Sequence, residues 1–301
     1  MDTDDALDAG LIRALQEDGR ASISDLADEF GISRDLVSQR LHHLTSHEGL
    51  RIVAAVDPVF AGHRLLTHVR VSVDGPADPI ARKLAELPDP VFVSMVSGSH
   101  PLVFESRHAN ADELHDLLAR VRAMPTVQKL QVTTYVKVLK GFFVAGRRGE
   151  VVLDELDHEL IAMLQDDGRA SFRSLSDAVH LSASSVRARV RKLIDAGVIR
   201  ISALKSGGLS RNRVAIGIGI TARGDVEPIT RLIMDSPAID FAARSHGDYD
   251  FVATIIGTSS ANALDMLEKL RTLPEISSLE SWAHLNIIKE DYARAIGQVM
   301  G

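Results

Sequence analysis

Two predicted helices carry the side chains best suited to recognition chemistry. In SASSVRARVRKL, residues 182 to 193, Arg187 and Arg191 stand four apart and share one helix face. In DLADEFGISRDLVSQRLHHL, residues 25 to 44, a short helix, a glycine turn and a capping Ser33 precede a longer helix. This pattern is typical of a helix-turn-helix, whose second helix enters the DNA major groove, where Arg and Gln pair with guanine and adenine edges. The predicted DNA-contacting residues are Arg34, Ser38, Gln39, His42, Ser184, Ser185, Arg187, Arg191 and Lys192.

The two helix-turn-helix segments differ in charge. Residues 1 to 50 hold four basic and eleven acidic residues, a net of −7, whereas residues 150 to 205 hold eight basic and nine acidic, a net of −1. Because phosphate attraction depends on local positive charge, we expect the second segment to contribute more of it. The first segment would bind DNA more weakly, need its partner, or serve only as a scaffold.

Catalytic and metal-binding patterns are missing from the sequence. It has no glycine-rich phosphate loop, no His-Glu-x-x-His motif and no Gly-x-Ser-x-Gly motif. His42 and His43 are adjacent, so their side chains diverge on a helix and do not form a ligand pair. The absence of cysteine excludes disulfides, thiolate metal sites and thiol catalysis. We therefore predict no catalytic set, no metal, no cofactor and no enzyme.

Length and composition set broad limits on the protein. A chain of 301 residues predicts two or more domains, and no apolar run approaches the length of a membrane span. The N-terminal MDTDDALD is acidic and has no signal-peptide character. The net charge of −7 argues against a general polyanion binder without excluding local basic patches. These features predict a cytoplasmic protein with no membrane partner.

An internal repeat organises the chain. LQEDGRAS at residues 15 to 22 returns as LQDDGRAS at 164 to 171, and the same offset of 149 aligns Arg40 with Arg189 and Gly98 with Gly247. Such scattered identities at one long offset indicate two copies of a unit of about 150 residues. We predict helix-turn-helix domains at 1–50 and 154–201, βαββαβ domains at 51–140 and 202–301, and a linker at 141–153.

Each copy changes its hydrophobic periodicity once. The first fifty residues are helical in period, with Ser22 or Ser24 as a cap and Gly31 in the turn. His180 takes the Gly31 position in the second copy. Then follow a strand at 65–73, a helix near 80–87, strands at 91–97 and 102–107, a helix at 111–124 and a strand at 127–138. The predicted fold class is α+β: two copies of a three-helix, winged helix-turn-helix domain followed by a ferredoxin-like βαββαβ domain.

Together these segments resemble the Lrp/AsnC (leucine-responsive, feast/famine) transcriptional regulators. The resemblance runs through LDAGLIRALQEDGRASISDLADEFGISRDLVSQRLHHL and GLRIVAAVDPVFAG, and again through LDELDHELIAMLQDDGRASFRSLSDAVHLSASSVRARVRKLIDAGVIR and SHGDYDFVATI. It implies a double-stranded-DNA partner and a RAM (regulation of amino-acid metabolism) effector domain. Typical members carry one unit per chain and work as dimers. This chain looks like a tandem fusion, whose units form either an intrachain pseudo-dimer or a homo-oligomer with other chains.

The family resemblance also implies an effector site in the second copy. In the family, small effectors, usually amino acids, bind near the RAM dimer interface by a Gly-Asp-Tyr-Asp-like loop. The implied residues are His246, Gly247, Asp248, Tyr249, Asp250 and Trp282. The first copy has Gly98, Ser99, His100 and Pro101 instead, so both acids are missing there. A purely structural turn also explains the motif, because turns favour Gly and Asp.

Two other functions remain open. Siroheme decarboxylases resemble the same two-domain plan, sometimes as tandem fusions, and use His and Arg near a tetrapyrrole. A ligand-sensing, oligomer-forming module that no longer binds DNA is the other. The polar recognition helices favour the regulator over both.

Overall fold

The computed structural model describes residues 3–58, 60–141, 152–205, 214–257 and 259–291. It divides into two compact units, each containing parts of both copies. Most of the predicted linker, residues 142 to 151, lies outside the described residues. The helical unit contains α1 (Thr3–Glu17), α2 (Ile23–Phe30), α3 (Arg34–His47) and β1 (Leu50–Val56), then α6 (Glu155–Asp166), α7 (Phe172–Val179), α8 (Ala183–Asp195) and β6 (Ile199–Lys205).

Local chemistry sets the helix boundaries in the helical unit. Ser22 caps α2 in a capping box with Asp25, and Ser33 caps α3 by accepting from the backbone N–H of Leu36. Gly31 ends α2 in the left-handed conformation at φ 64°. His180 ends α7 in the same conformation at φ 55°, which confirms the expectation that His replaces glycine there.

A ribbon shared by the two copies joins the helix-turn-helix segments. β1 and β6 pair antiparallel, from Leu50 opposite Lys205 to Val56 opposite Ile199. The structure therefore groups both strands with the helices. The sequence-based domain boundaries at 51 and 202 fall beside or within these strands, each of which pairs with a strand of the other copy.

The repeated LQxDGRAS segments explain this pairing. The Gly19 N–H donates to the Ile201 carbonyl at 3.1 Å, and the Gly168 N–H donates to the Ile52 carbonyl at 2.8 Å. Each copy thus places its glycine on the ribbon strand of the other. Each copy also donates hydrogen bonds from an arginine guanidinium to the other copy. Arg20 donates to the carbonyls of Gly168 and Ala170, and Arg169 donates to those of Gly19 and Ala21. This reciprocity is that of a two-fold dimer interface, formed within one chain.

The second unit combines both βαββαβ segments in one closed sheet. The first copy supplies β2 (Leu65–Val73), α4 (Asp78–Glu86), β3 (Pro90–Val96), β4 (Leu102–His108), α5 (Ala111–Arg122) and β5 (Val127–Lys140). The second supplies β7 (Val214–Ala222), α9 (Glu227–Asp235), β8 (Ile239–His246), β9 (Phe251–Gly257), α10 (Ser260–Arg271) and β10 (Ile276–Glu290). The strands close in the order β10-β3-β4-β2-β5-β8-β9-β7. The β5–β8 and β10–β3 pairs join the copies.

The barrel has two kinds of core. The helices of each copy cover their own four strands, with Phe104 buried in one cluster and Phe251 in the other. The barrel interior holds an aromatic cluster contributed by both copies, including Tyr135, Tyr249 and Trp282. Because successive side chains of a strand point to opposite faces of the sheet, one set packs against the helices and the other fills the barrel interior. None of the described helices has the length and apolar character that a membrane crossing would need.

We predict that an alanine in place of either ribbon-contacting glycine destabilises the helical unit. A Cβ on Gly19 would lie 2.8 Å from backbone atoms of Ile201, and a Cβ on Gly168 would lie 3.0 Å from the Ile52 carbonyl oxygen. Backbone cannot rotate away, so Gly19→Ala and Gly168→Ala should each cost about 2 kcal/mol, measured by denaturant unfolding. Gly31→Asn is the control, since no atom lies within 4 Å of a Cβ there. Losses no larger than that of the control would contradict the close approach.

We also predict a pH-dependent stability set by Glu290 at the end of β10. Burial, reinforced by the charges of Asp240 and Glu105, raises the pKa of Glu290 to about 7 from its ordinary value of 4.5. The folded chain then holds this proton more tightly than the unfolded chain, so stability is full below about pH 4.5 and falls as the pH rises to 7. The loss has an upper limit of roughly 3 kcal/mol, which solvent around the partly buried side chain reduces.

Glu290→Gln tests this prediction because an amide cannot ionise. The variant should unfold at higher denaturant concentration than the parent at pH 8 and at about the same concentration at pH 4.5. Glu86→Gln, which changes an exposed carboxylate at the end of α4, is the control and should show no such difference. A gain at pH 8 that persists unchanged at pH 4.5 would refute the assignment to Glu290.

Candidate nucleic-acid interface and effector site

The two predicted recognition helices are α3 and α8. Each begins after a serine cap, Ser33 and Ser182, whose hydroxyl accepts a backbone N–H three residues on. Each buries its apolar positions: Val37 and Leu44 in α3, and Val186, Val190 and Leu193 in α8. Most of the remaining positions face solvent, while Leu36, Arg40 and Leu41 of α3 and Arg189 of α8 are half-buried. All the predicted DNA-contacting residues are exposed: Arg34, Ser38, Gln39, His42, Ser184, Ser185, Arg187, Arg191 and Lys192.

Two other arginines of these helices have structural partners. In the first copy the Arg40 Nε donates to Asp8 at 2.8 Å. In the second copy the equivalent Arg189 donates to both Asp154 and Asp157 at 2.8 Å. These ion pairs fasten each recognition helix to the first helix of its own copy. Sequence reasoning aligned these residues across the repeat without predicting that they pair.

Arg187 combines exposure with a fixed position. Its guanidinium lies over the Phe172 ring at 5.0 Å, and Arg20 of the first copy lies over the same ring at 4.5 Å. Burial, followed by repulsion from Arg169, lowers the pKa of Arg20. The seam between the copies therefore concentrates positive charge beside α8. Cation–π contacts of this kind hold a guanidinium in place while it stays accessible.

The predicted effector loop connects β8 to β9. Gly247 has φ 126°, and a Cβ there would lie 2.7 Å from the Val132 carbonyl oxygen of β5. Only glycine therefore fits between the loop and the first copy's strand. His246 and Asp248 are exposed on this turn. The Asp250 side chain does not face solvent in the same way, because its Oδ2 accepts a hydrogen bond from the Ala222 N–H at 2.7 Å. This bond holds the end of β7.

Tyr249 and Trp282 point into the barrel and stack with 6.1 Å between ring centroids. Two glycines of β7 explain how they fit: a Cβ on Gly217 would collide with the Trp282 indole, and one on Gly219 with the Tyr249 ring. These glycines therefore make room for large side chains in the barrel interior. The predicted effector residues thus divide between a solvent-facing turn and a buried aromatic pair.

Sequence reasoning missed the charged residues beside this aromatic pair. Arg70 of β2 donates from Nη1 to Glu280 at 2.5 Å and from Nη2 to Gln131 at 2.8 Å. Its guanidinium lies 4.9 Å from the Tyr249 ring centre and 5.7 Å from that of Trp282. The Tyr249 hydroxyl also donates to Glu280. Strand alternation could have placed Arg70 and His68 on the face opposite Val69 and Val71.

The electrostatics of this group keep Glu280 ionised and Tyr249 protonated. Burial alone would raise the pKa of Glu280, but the hydrogen bonds from Tyr249 and Arg70 lower it below its ordinary value. Burial, together with the bond to Glu280, raises the pKa of Tyr249. A charge-assisted pair of this kind is stronger than a neutral hydrogen bond.

Several buried polar atoms in the barrel have no hydrogen-bond partner among the described residues. They include the two ring nitrogens of His68, the Arg70 Nε and the Trp282 Nε1. His68 is 4% exposed and stacks on Trp282 at 5.5 Å. His284, on the same strand as Trp282, bonds to the Ser94 hydroxyl at 3.0 Å, and burial lowers its pKa to about 4. In the part of the chain that the structure describes, no group of three His, Asp or Glu residues has a metal-binding arrangement.

The corresponding loop of the first copy lies between β3 and β4. Gly98 has φ 99°, and the neighbouring Ser97 N–H donates to the Ala283 carbonyl at 2.9 Å. His100 takes the place of Tyr249 and bonds to the Ser99 hydroxyl. Burial, followed by the nearby Arg70, lowers the pKa of His100. The two loops share a backbone plan and differ in chemistry.

Comparisons with known proteins support the two-copy organisation in part. Three family models match: an AsnC-type helix-turn-helix domain at residues 5–45, the PF0864 C-terminal dimeric alpha+beta barrel domain at 66–148, and a winged helix-turn-helix DNA-binding domain at 153–200. The siroheme decarboxylase NirDL has a similar fold, with a TM-score of 0.64 over 96% of this chain and 97% of its own. At 16% identity, that likeness is one of fold alone.

The sequence relatives are single-unit regulators that match just under half of the chain. The HTH-type transcriptional regulator FL11 of Pyrococcus horikoshii is 26% identical over 45% of this chain and 91% of its own length. The HTH-type transcriptional regulator LrpA of Mycobacterium tuberculosis is 32% identical over 41% of this chain and 85% of its own length. Together with the AsnC-type helix-turn-helix match and the two capped recognition helices, these relatives show that the chain belongs to the Lrp/AsnC family of transcriptional regulators.

Proposed function

We propose that this chain is a sequence-specific DNA-binding transcriptional regulator that acts in the cytoplasm through α3 and α8. The observation that carries the proposal is the exposure of every predicted contact residue on two capped helices of one hydrogen-bonded unit. Because the β1–β6 ribbon ties the two segments together, one chain presents both recognition helices as a dimer would. Adjacent major grooves on one face of DNA are about 34 Å apart, which is the half-site spacing we expect.

The two half-sites would be bound with different strength. The exposed face of α8 carries Arg187, Arg191 and Lys192, whereas that of α3 carries Arg34 beside Asp35. Phosphate attraction therefore favours α8. An asymmetric operator, with one half-site dominating the affinity, follows from this difference.

The second part of the proposal is a small effector, with amino acids the first class to test. It would bind around residues 246 to 250 and alter operator affinity by favouring one packing of the protein. Support comes from the exposed His246 and Asp248 beside a buried aromatic pair. Asp250, whose carboxylate is bonded to the backbone, would act as framework for this loop.

A siroheme-decarboxylase-like enzyme is the second candidate function. The specific observation in its favour is that buried His68 and Arg70 of the barrel have polar atoms that make no hydrogen bond with the described residues. Adding siroheme to the purified protein and recording its absorbance tests this candidate: a saturable spectral change would favour the enzyme. A sensing module without DNA binding would instead show no salt-dependent DNA affinity.

Footprinting tests the main proposal directly. The purified protein is mixed with DNA fragments from upstream of its own gene, with and without an amino-acid mixture, at low and moderate salt. Phased protection with one helical turn between half-sites, altered by the mixture, is the expected result. No protection even at low salt would overturn the assignment as a DNA-binding regulator.

We predict that Arg187→Ala combined with Arg191→Ala weakens operator binding and leaves the fold intact. Each lost phosphate contact should reduce the magnitude of the slope of log affinity against log salt by about 0.9. The slope of the double variant should therefore be smaller in magnitude by up to roughly 1.8. Fluorescence anisotropy of a labelled operator over a salt series gives both values. Arg231→Ala, which removes an exposed arginine on α9, is the control. An operator affinity and slope equal to those of the control would refute the role of α8.

We predict that Asp248→Ala abolishes the effector response without changing DNA affinity in the absence of effector. The side chain is exposed on the predicted loop, so its removal should cost little stability. Footprint titrations with and without the amino-acid mixture measure the response. Asp265→Ala, on the exposed face of α10, is the matched control and should respond like the parent chain. A full response in the Asp248 variant would exclude this side chain from the site.

A further inference from the structure

The Glu280 carboxylate is held by two donors of the barrel interior. Arg70 and Tyr249 both donate to it, one to each carboxylate oxygen. The Arg70 side chain is 7% exposed, whereas that of Glu280 is 46% exposed. The donors are thus fixed in the interior, while the acceptor they hold reaches in from the solvent side. This is the geometry of a receptor holding a carboxylate ligand.

Other contacts hold the donors in place independently of Glu280. The Nη2 of Arg70 donates to Gln131, and its guanidinium lies over the rings of Tyr249 and Trp282. Gly219 leaves room for the Tyr249 ring. If Glu280 left, the guanidinium would remain in position with one Nη free to bind another carboxylate. Arginine is well suited to this role because its planar fork matches carboxylate oxygens.

The interior also holds buried polar atoms that make no hydrogen bond with the described residues. They include the Arg70 Nε and the ring nitrogens of His68, whose Nδ1 lies 3.9 Å from a Glu105 carboxylate oxygen. Burying a polar group without a hydrogen bond is unfavourable. A small polar molecule that enters beside Arg70 would offer its Nε–H an acceptor.

The Arg70–Glu280 ion pair joins the two copies at a place where their residues differ. The repeat aligns Arg70 with Gly219 and Glu280 with Gln131. All four lie together in the barrel, because Arg70 pairs with Gln131 across β2 and β5, and Glu280 pairs with Gly219 across β10 and β7. One guanidinium and one carboxylate therefore face each other here, and the chain does not repeat the pair.

We propose that Arg70 and Tyr249 form a receptor for the carboxylate of a small organic acid, and that Glu280 is an internal occupant which this ligand displaces. The receptor lies beside the loop of the proposed effector site, so its regulatory role rests on the proposed function, although ligand binding itself does not. While Glu280 occupies the receptor, the apparent ligand affinity is reduced by the fraction of chains in which the receptor is open. Glu280 therefore sets the concentration at which the ligand acts.

The test uses propionate, which has the same carboxylate and two-carbon length as the Glu280 side chain. Trp282 is the single tryptophan of the chain and lies 5.7 Å from the Arg70 guanidinium, so its fluorescence reports binding. Propionate should change this fluorescence saturably in the parent chain, while neutral propionamide should not. Removing a charge-assisted competitor worth about 1.5–3 kcal/mol predicts that Glu280→Ala binds propionate at least about tenfold more tightly.

Control variants separate the receptor from a simple cavity. Glu105→Ala removes another barrel carboxylate, which accepts from Tyr135 at 2.6 Å, and its propionate affinity should equal that of the parent chain. Tyr249→Phe in the Glu280→Ala background should weaken binding, since one donor is lost. If Glu280→Ala does not fold, Glu280→Gln keeps the shape, weakens the internal competitor and should also bind more tightly than the parent chain.

Three results would overturn the proposal: a parent chain with no saturable response, equal responses to propionate and propionamide, or a Glu105→Ala gain equal to that of Glu280→Ala. No DNA is present in these titrations, so failure of the proposed DNA binding leaves their outcome unchanged. Conversely, if the chain binds its operator normally but does not respond to propionate, the receptor proposal fails and the proposed DNA-binding function stands.

Discussion

Every sheet in the described chain is completed by strands from both copies. The β1–β6 ribbon joins the helix-turn-helix segments, and the β5–β8 and β10–β3 pairs close the barrel. Backbone groups at a sheet edge need hydrogen-bond partners when they are buried, and here each copy supplies those partners to the other. The tandem chain thus forms within one molecule the reciprocal contacts of a two-fold dimer.

This fixed pairing lets the two copies diverge in their side chains. The backbone contacts of Gly19 and Gly168 are the same in both directions, and the exchanged arginines preserve the two-fold relation. Side chains that take no part in closing a sheet can differ between the two copies. The cationic positions of α8 have no cationic equivalents in α3, and the Arg70–Glu280 pair, which joins the copies, has Gly219 and Gln131 at the equivalent positions.

Local chemistry was predictable from the sequence, and long-range partners were not. Ser33 at a cap, Gly31 and His180 at positive φ, and the strand at 65–73 each depend on a few neighbouring residues. The sharing of β1 with β6 depends on a strand about 150 residues away, which no local pattern can identify. The same limit hid Arg70, because its partner Glu280 lies 210 residues along the chain. Gly217 and Gly219 of β7 are the local counterpart of these contacts, since they leave room for large side chains from other strands.

A receptor present once per chain has a consequence for how a ligand would act. A two-fold dimer of identical chains carries each site twice, and the two sites can bind cooperatively. Here the positions equivalent to Arg70 and Glu280 are Gly219 and Gln131, which cannot form the same ion pair. Binding to one chain would therefore follow a simple hyperbola, and a single bound molecule would act on a dimer-like pair of recognition helices. Steeper responses would then require association between chains, so the shape of a ligand titration distinguishes action within one chain from action through assembly.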